Sequence, residues 1–321
     1  MIPINARLPI GAPTPNLDRL ASEGMRFVNY YGQASCTAGR ASFITGRIPI
    51  RTSLSAVLAP GDPDGLTKQT PTIAQYLKQA NYTTVQLGKW HVGDKLENFP
   101  TSNGFDERYD MLPYYAGVYA YVDKELHPSF PTHDKSFMAL WDQVDLSQWD
   151  GKAGAAPTAV KKEFTYADLA TGDDEMRAKA IDWLKAHAKD QNPFFMYPCF
   201  FKVHNPNNPS PRWKGKSPGG GNYLDALMEL DDNSGQVVQA IRDLGIDQNT
   251  LVVWTTDKRL DRRLAGCGLH AFPRHERVVL RRRLPRAGDC LVARPHQARH
   301  GQYGHVVPYG LVADPRQARR S

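Results

Sequence analysis

The sequence predicts an α/β fold in which helices flank a largely parallel sheet. Segments with apolar residues at helical spacing alternate along the chain with short segments of strand character. In addition, the strand segments 193–201 and 250–255 are strongly apolar rather than alternating. A strand of that kind is typical of a sheet covered on both faces, which is how helices cover parallel strands.

In the first half of the chain, helix and strand signals follow one another closely. A glycine at position 46 predicts the end of the helix that begins near Cys36, and Thr70 lies where a cap is expected. Residues 94–160 are rich in Pro, Asp and Tyr, and we expect an irregular segment there that covers the active-site face and sets substrate choice. The predicted elements are a helix over 16–24, a strand over 25–31, the short helix after 36, a helix over 71–80 and a strand over 82–87.

The second half continues the alternation. Folds of this class place functional side chains just after the ends of strands. Lys202 and His204 follow one predicted strand and Asp257 follows another, and of these His204 and Asp257 are candidates. On an extended segment, Lys202 and His204 would lie on the same side. The predicted elements are a helix over 173–188, a strand over 193–201, a loop over 206–221, a helix over 223–244 and a strand over 250–255.

Cys36 and Arg40 are spaced to share one face of the short helix. At the start of a helix, a side chain meets free backbone N–H groups and the positive end of the macrodipole. The spacing therefore predicts an anion pocket with a reactive group at its mouth. The alternative is a buried structural cysteine beside a surface arginine, which is the more frequent meaning of such a pair taken alone.

Three motifs in order resemble type I sulfatases. Residues 36–40, Cys-Thr-Ala-Gly-Arg, are a variant of the Cys-x-Pro-x-Arg signature, and residues 14–27 resemble the segment that precedes it. Residues 88–93, Gly-Lys-Trp-His-Val-Gly, resemble the second signature. The resemblance covers about residues 13–257. It implies an alkaline-phosphatase-like α/β sandwich and hydrolysis of sulfate monoesters by formylglycine, which a sulfatase-maturing enzyme makes from Cys36.

The resemblance also implies roles for the other site residues. Lys89 is similar to the sulfate-binding lysine, and His91 to the histidine that handles the formylglycine hydroxyls. His204 is similar to a histidine that contacts sulfate or protonates the leaving oxygen, and Arg40 completes the pocket. Taken alone, Lys89 and His91 are more often surface residues, and His204 is as readily a loop histidine. The implied substrate is a small-molecule or glycan sulfate ester.

A divalent cation, usually calcium, is implied by the same resemblance. Asp257 corresponds to the Asp of an Asp-Asn pair of ligands, with the modified Cys36 beside the metal, and oxygen ligands suit calcium. This sequence departs from the pattern because Lys258 replaces the Asn and residues 1–13 contain no Asp or Glu. We expect an N-terminally truncated chain with an incomplete metal site, and the competing hypothesis is an inactive sulfatase remnant.

Residues 258–321 differ in composition from the rest. They hold one Lys and 14 Arg against four acidic residues, a net charge of +11, whereas residues 1–257 carry −4. A one-base shift near codon 258 would let this segment encode family-like strings, including Asn-Gly-Trp at its start and Gly-Thr-Lys ending at Glu276. We therefore expect a partial sulfatase domain over 1–257, followed by an out-of-frame, disordered basic tail without regular structure.

Other classes of protein are disfavoured. A nucleic-acid-binding role for the Arg-rich tail is a remote alternative, because a basic segment without a recognition fold binds mainly nonspecifically. No apolar run reaches the roughly 18 residues of a membrane span, and no signal peptide is visible. The four cysteines lack metal-site spacing. We expect a soluble protein, cytoplasmic or periplasmic, and the sequence leaves the compartment open.

Overall fold

A nine-stranded sheet forms the centre of the protein. The computed structural model describes residues 11–59, 62–111, 147–161, 164, 166–204, 207–258, 276–281 and 312–313. Within these residues the strand order is β1-β8-β7-β9-β6-β2-β3-β4-β5. The strands are β1 (Met25–Tyr30), β2 (Thr83–Lys89), β3 (Glu107–Met111), β4 (Gln148–Lys152), β5 (Thr158–Lys161), β6 (Phe194–Cys199), β7 (Leu251–Trp254), β8 (Glu276–Arg281) and β9 (Val312–Ala313).

The prediction of a largely parallel sheet is confirmed. Strand β2 pairs in parallel with both β3 and β6, and the remaining pairings are antiparallel. Followed across the sheet, these pairings place β1, β7, β6, β2, β3 and β5 in one direction. The strands of opposite direction are β4 and the two tail strands, β8 and β9.

Helices cover both faces of the sheet, as the apolar strands predict. Helices α1, α4 and α5 pack on one face and α2 and α3 on the other, each over its own buried apolar cluster. Strand β6 supplies both clusters because successive side chains point to opposite faces, with Met196 in the first and Phe195 in the second. The helices are α1 (Pro15–Glu23), α2 (Cys36–Thr45), α3 (Ile73–Gln79), α4 (Tyr166–His187) and α5 (Asn222–Asp243).

Some element boundaries differ from the prediction. Helix α3 is capped by Thr72 and not by Thr70: the Thr72 hydroxyl accepts from the Gln75 N–H while the Gln75 side chain accepts from the Thr72 N–H. This reciprocal capping box satisfies two N–H groups, which one upstream threonine would not do. Helix α4 begins at Tyr166, earlier than the residue 173 that the sequence indicated. No helix in the described part of the chain is long and apolar enough to cross a membrane.

The expectation of an irregular segment over 94–160 is wrong for three stretches, which form β3, β4 and β5 at one edge of the sheet. Polar and apolar residues do not alternate regularly in these strands, as the Glu-Arg-Tyr-Asp-Met sequence of β3 shows. The two-residue period that predicts a strand is therefore weak. Pairing with β2 stabilises β3 despite that composition. Residues 112–146 of the same segment lie outside the described residues.

The expectation of a tail without regular structure is wrong for two short segments. Strand β8 pairs antiparallel with β1 and β7, and β9 pairs antiparallel with β6 and β7. The run Val-Val-Leu in β8 includes valines, which have high β propensity. The other residues after 258, and residues 1–10, lie outside the described residues.

Candidate active site

Cys36 is the first residue of α2 and is 1% exposed. The helix begins there because Ser35 is its N-cap, with the Ser35 hydroxyl accepting from the Ala38 N–H at 3.4 Å. It ends at Gly46, whose left-handed φ of 65° favours glycine. The predicted short helix is thus confirmed, and the Cys36 thiol lies at its positive end.

Two side chains from distant parts of the chain contact the Cys36 sulfur. His204 Nε2 lies 3.7 Å from Sγ, and Lys258 Nζ lies 2.8 Å from Sγ. His204 follows β6 and Lys258 follows β7, while the backbone of Lys258 forms a parallel bridge with Gln33, just before α2. The ends of β6 and β7, which lie on either side of β9 in the sheet, therefore meet the start of α2, as strand-end chemistry in this fold class predicts.

Lys89 and His91 enter the same region from the end of β2. The turn depends on Gly88, whose φ is 83° and where a Cβ would collide with the Cys199 carbonyl oxygen and the Met176 sulfur. His91 itself has φ of 60°, a conformation that is uncommon for non-glycine residues. Lys89 and His91 are 5% and 1% exposed, so the alternative of two surface residues is excluded.

The ring of His91 is held by a backbone carbonyl. Its Nε2 lies 3.0 Å from the Leu58 carbonyl oxygen. Because a carbonyl only accepts, Nε2 carries the proton and Nδ1 is the basic nitrogen of the neutral ring. The Leu58 N–H in turn donates to the Thr37 hydroxyl at 3.2 Å, which ties this loop to α2.

Arg40 connects the start of α2 to two strand ends. Its Nε donates to Asp257 Oδ2 at 3.1 Å, and its Nη1 donates to the carbonyl of Lys89. The side chains of Arg40 and Asp257 are only 8% and 14% exposed. The guanidinium thus fixes the backbone at Lys89 and the carboxylate at Asp257 in one arrangement.

The charges of the site favour an anion at position 36. Burial raises the pKa of the Cys36 thiol, but the charge of Lys89 and hydrogen bonds with His204 and His91 outweigh it and hold that pKa well below its usual value. Burial lowers the pKa of Lys89, and the thiolate acts in the opposite direction. The pocket therefore stabilises an anionic group at residue 36, and that anion in turn favours the protonated form of Lys89.

The surroundings favour the neutral form of both histidines. Burial, with the charge of Lys89 beside it, lowers the pKa of His91 to about 4. The pKa of His204 is lowered by the same causes in the same order, with Lys258 adding to them. A neutral imidazole can accept a proton, which a permanently charged one cannot.

The prediction that Lys202 and His204 lie on the same side is wrong. Lys202 is buried away from Cys36, with Nζ 2.9 Å from Glu229 Oε1. The chain turns after Phe201, where the His204 N–H donates to the Phe201 carbonyl at 2.9 Å. Alternation applies to extended backbone, and this segment is a turn.

Asp257 lies in the site, but its surroundings are cationic. Its carboxylate pairs with Arg40, and the next residue is Lys258. Among the residues that the structure describes, no group of three or more His, Cys, Asp or Glu side chains could hold a metal ion. The donors present near Cys36 therefore suit an anion better than a divalent cation.

Lys258 and Leu58 were not predicted as parts of the site. The sequence marked Lys258 only as a departure from an expected Asn, yet its ammonium contacts the Cys36 sulfur. The sequence signal that could have placed Lys258 in the site was its position directly after Asp257. The role of Leu58 is played by its backbone carbonyl, which has no signature in the side chain.

Comparison with known proteins identifies the family. The profile of the family described as Sulfatase matches residues 8–273. N-acetylgalactosamine-6-sulfatase of Rattus norvegicus is 30% identical over 257 residues, which is 76% of this chain and 45% of that protein. An arylsulfatase of Hemicentrotus pulcherrimus is 27% identical over 314 residues, which is 93% of this chain and 49% of that protein.

A solved structure gives the same result. The PsFucS1 sulfatase from Pseudoalteromonas sp. superimposes with a TM-score of 0.70 at 29% identity, covering 77% of this chain and 50% of that one. The chain thus spans about half the length of the relatives it matches. A profile match over most of the chain, together with the shared alkaline-phosphatase-like α/β sandwich, shows that this chain belongs to the sulfatase family.

Proposed function

We propose that this chain is a sulfate monoester hydrolase of the arylsulfatase type whose nucleophile derives from Cys36. The observation that carries the proposal is the position of Cys36, buried at the start of α2 with His204 at 3.7 Å and Lys258 at 2.8 Å from its sulfur. A pocket that stabilises an anion beside proton-accepting imidazoles has the charge that sulfuryl transfer requires.

The surroundings of Cys36 fit a formylglycine at that position. The sulfur of Cys36 marks where the oxygens of the modified side chain would lie, within reach of His204 and Lys258. When present, the hydrated formylglycine supplies the oxygen nucleophile that attacks the sulfur of the ester. The proposal requires a sulfatase-maturing enzyme as a partner, because the cysteine must first be oxidised.

The two histidines are proposed to move protons. The neutral ring of His91, with Nε2 bound to the Leu58 carbonyl, can accept a proton from a hydroxyl at position 36 through its other nitrogen. His204 lies beside the same position. A bound sulfate ester adds negative charge there, which favours protonated His204. His204 can then donate that proton to the leaving oxygen.

The cations are proposed to divide their roles. Lys89 is buried and its charge stabilises an anion at residue 36, which supports sulfate binding as its role. Arg40 donates to Asp257 and to the Lys89 carbonyl, which supports a positioning role beside any contact with sulfate. The strength of both contributions depends on exclusion of water, since charges interact more strongly in a buried site.

Calcium does not fit the described residues. Its expected ligands were Asp257 and the modified residue 36, but Asp257 accepts from Arg40 and Lys258 Nζ contacts Cys36. A divalent cation between Asp257 and residue 36 would be repelled by the positive charges of Arg40 and Lys258. This observation favours a second candidate function, the inactive remnant, and no step of the proposed reaction uses a metal.

The reading frame of the tail is part of the proposal. A one-base insertion near codon 258 accounts for the change of composition and for Lys258 in place of Asn. The two tail strands are also antiparallel to their neighbours on both sides. Strand β8 lies between β1 and β7, and β9 lies between β7 and β6. Against the insertion, the family profile matches residues up to 273, beyond codon 258. That match favours the sequence as it stands. Resequencing the gene over codons 250–300 decides between them, because one base fewer near codon 258 would restore an Asn-Gly pair.

The substrate is proposed to be a sulfated sugar or an aryl sulfate. Support comes from the names of the relatives, an N-acetylgalactosamine-6-sulfatase and an arylsulfatase. The pocket around Cys36 combines imidazole and cationic side chains, which suit the sulfate group that these substrates share. The part of the substrate beyond the sulfate is left to direct measurement with a panel of sulfate esters.

The test is to express the chain with a sulfatase-maturing enzyme and to measure the mass of the peptide that contains residue 36. The converted protein is then assayed with 4-nitrophenyl sulfate and with sulfated hexosamines, and Cys36→Ala is the control. We expect conversion and turnover that Cys36→Ala abolishes. Full conversion without turnover would reject the hydrolase and establish the inactive remnant.

A further inference from the structure

Three ionisable side chains form a buried cluster behind the turn that carries His204. Asp173 of α4 is 1% exposed, and the side chains of Lys202 and Glu229 are 4% and 0% exposed. Glu229 lies on α5, so the cluster joins two helices to the segment after β6. Charged groups are seldom buried this completely unless they are paired.

Asp173 binds the backbone at the start of the turn. Its Oδ1 accepts from the Phe201 N–H at 2.7 Å and its Oδ2 accepts from the Lys202 N–H at 3.0 Å. The carbonyl of Phe201 then accepts from the His204 N–H at 2.9 Å. One carboxylate on α4 thus determines where the turn to His204 begins.

Glu229 binds both ends of the segment from 202 to 210. Its Oε1 lies 2.9 Å from Lys202 Nζ, and its Oε2 accepts from the Ser210 N–H at 2.9 Å. Lys202 Nζ also donates to the Ala170 carbonyl of α4 at 3.0 Å. The two ends of the segment are therefore held to the same carboxylate of α5, and the Lys202 end is also held to α4.

We propose that Asp173, Lys202 and Glu229 are positioning residues for His204, an inference that rests on the role of His204 in the proposed function. A buried ion pair is weak evidence for stability, because apolar side chains of similar volume often serve as well. It does impose one geometry on the groups that it joins. For His204 that geometry places Nε2 3.7 Å from Cys36 Sγ, and misplacement by about 1 Å can cost roughly a hundredfold in rate.

The first measurement is the NMR signal of the His204 imidazole in protein labelled at histidine Cε1 and held at one pH. A His204→Gln variant assigns the signal. We expect Glu229→Gln and Asp173→Asn each to shift or broaden it. The matched control is Glu175→Gln, the same chemical change on α4 at a carboxylate that pairs with Lys161 at 2.8 Å. We expect that control to leave the signal unchanged.

The second measurement is turnover of 4-nitrophenyl sulfate by the converted protein. We expect Glu229→Gln and Asp173→Asn to lower kcat about tenfold or more with KM nearly unchanged, because the misplaced group acts in the transition state. An unmoved His204 signal in a folded variant, or a moved signal with unchanged kcat, would overturn the proposal. If Glu229→Gln does not fold, Asp173→Asn decides alone.

These outcomes separate the inference from the proposed function. Converted wild-type protein that does not hydrolyse sulfate esters would reject the hydrolase. The His204 signal would still decide whether the buried cluster positions that ring. Conversely, an active enzyme whose His204 signal and kcat ignore both substitutions would reject the cluster's role and retain the hydrolase.

Discussion

The guanidinium of Arg40 and the carboxylate of Asp257 form an ion pair across 217 positions of the chain, with Nε 3.1 Å from Oδ2. The same guanidinium donates to the Lys89 carbonyl. This residue of the first signature therefore holds together the ends of β2 and β7. The site depends on that contact because Cys36, Lys89 and Asp257 belong to three different elements.

Arg40→Lys should destabilise the protein by about 1–3 kcal/mol, since an ammonium cannot replace two directed guanidinium hydrogen bonds in a buried setting. Urea unfolding measures the change. Arg19→Lys is the control, because Arg19 pairs with Glu23 on the surface at 2.8 Å and its side chain is 56% exposed. That control should change stability by less than about 0.5 kcal/mol. Equal effects of both substitutions would contradict the connecting role of Arg40.

Calcium should not raise the melting temperature of this chain. A site with a Kd about a hundredfold below the calcium concentration would add about 2.7 kcal/mol of stability, enough to raise Tm by several degrees. Asp257 and Cys36 instead contact Arg40 and Lys258. Thermal unfolding with calcium and with a chelator measures the difference. A rise of several degrees with calcium would show that the residues beside Asp257 rearrange to bind it.

Stability should fall as the pH is lowered from about 6.5 to about 4, in part because of His91. Its pKa in the folded protein is about 4, below the ordinary value of 6.5, so the unfolded chain binds a proton first. The contribution is fully present above pH 6.5 and lost on the way to pH 4. Asp173 acts in the opposite direction, because burial raises its pKa to about 6.

The His91→Gln variant isolates the histidine from Asp173. Gln retains a side-chain donor for the Leu58 carbonyl but does not titrate. Urea unfolding of both proteins at several pH values should show a flatter dependence for the variant between pH 6.5 and 4. Parallel curves would mean that His91 is not held neutral in the folded protein.

Lys202→Met should destabilise the protein by roughly 3–5 kcal/mol, because it leaves the Glu229 carboxylate buried without its cation. Lys179→Met provides the comparison. Lys179 pairs with Asp150 at 2.8 Å, but both side chains are 40% exposed or more. The surface variant should change the free energy of unfolding by less than about 1 kcal/mol. A small effect of Lys202→Met would contradict the large cost expected for a buried carboxylate without its cation.

Local signals predicted the start of the site well. Gly46 predicted the end of α2, because a C-terminal cap depends on neighbouring residues alone. The structure adds Ser35 as the cap at its start. The apolar strands β6 and β7 were predicted for a similar reason, since burial on both faces requires apolar side chains at successive positions. Helix α3 shows the limit of this approach, because the sequence placed its cap at Thr70 and the structure places it two residues later, at Thr72.

Long-range contacts were beyond such signals. The orientation of Lys202 was predicted from an extended backbone, but Asp173 and the Phe201 carbonyl turn the chain at that point. Strand β3 carries Glu, Arg and Asp and exists because β2 lies beside it. Neither fact can be derived from residues that are adjacent in sequence.

By itself the sequence determined the family, the α/β alternation and the identities of the chemical groups at positions 36, 89, 91 and 204, because these depend on local patterns and motifs. Only the tertiary structure decided which groups meet. In the folded chain, His204 and Lys258 contact Cys36. Lys202 pairs with Glu229, and Asp257 pairs with Arg40. The physical reason is that such contacts are selected by packing of the helices against the sheet, which no single segment of the chain specifies.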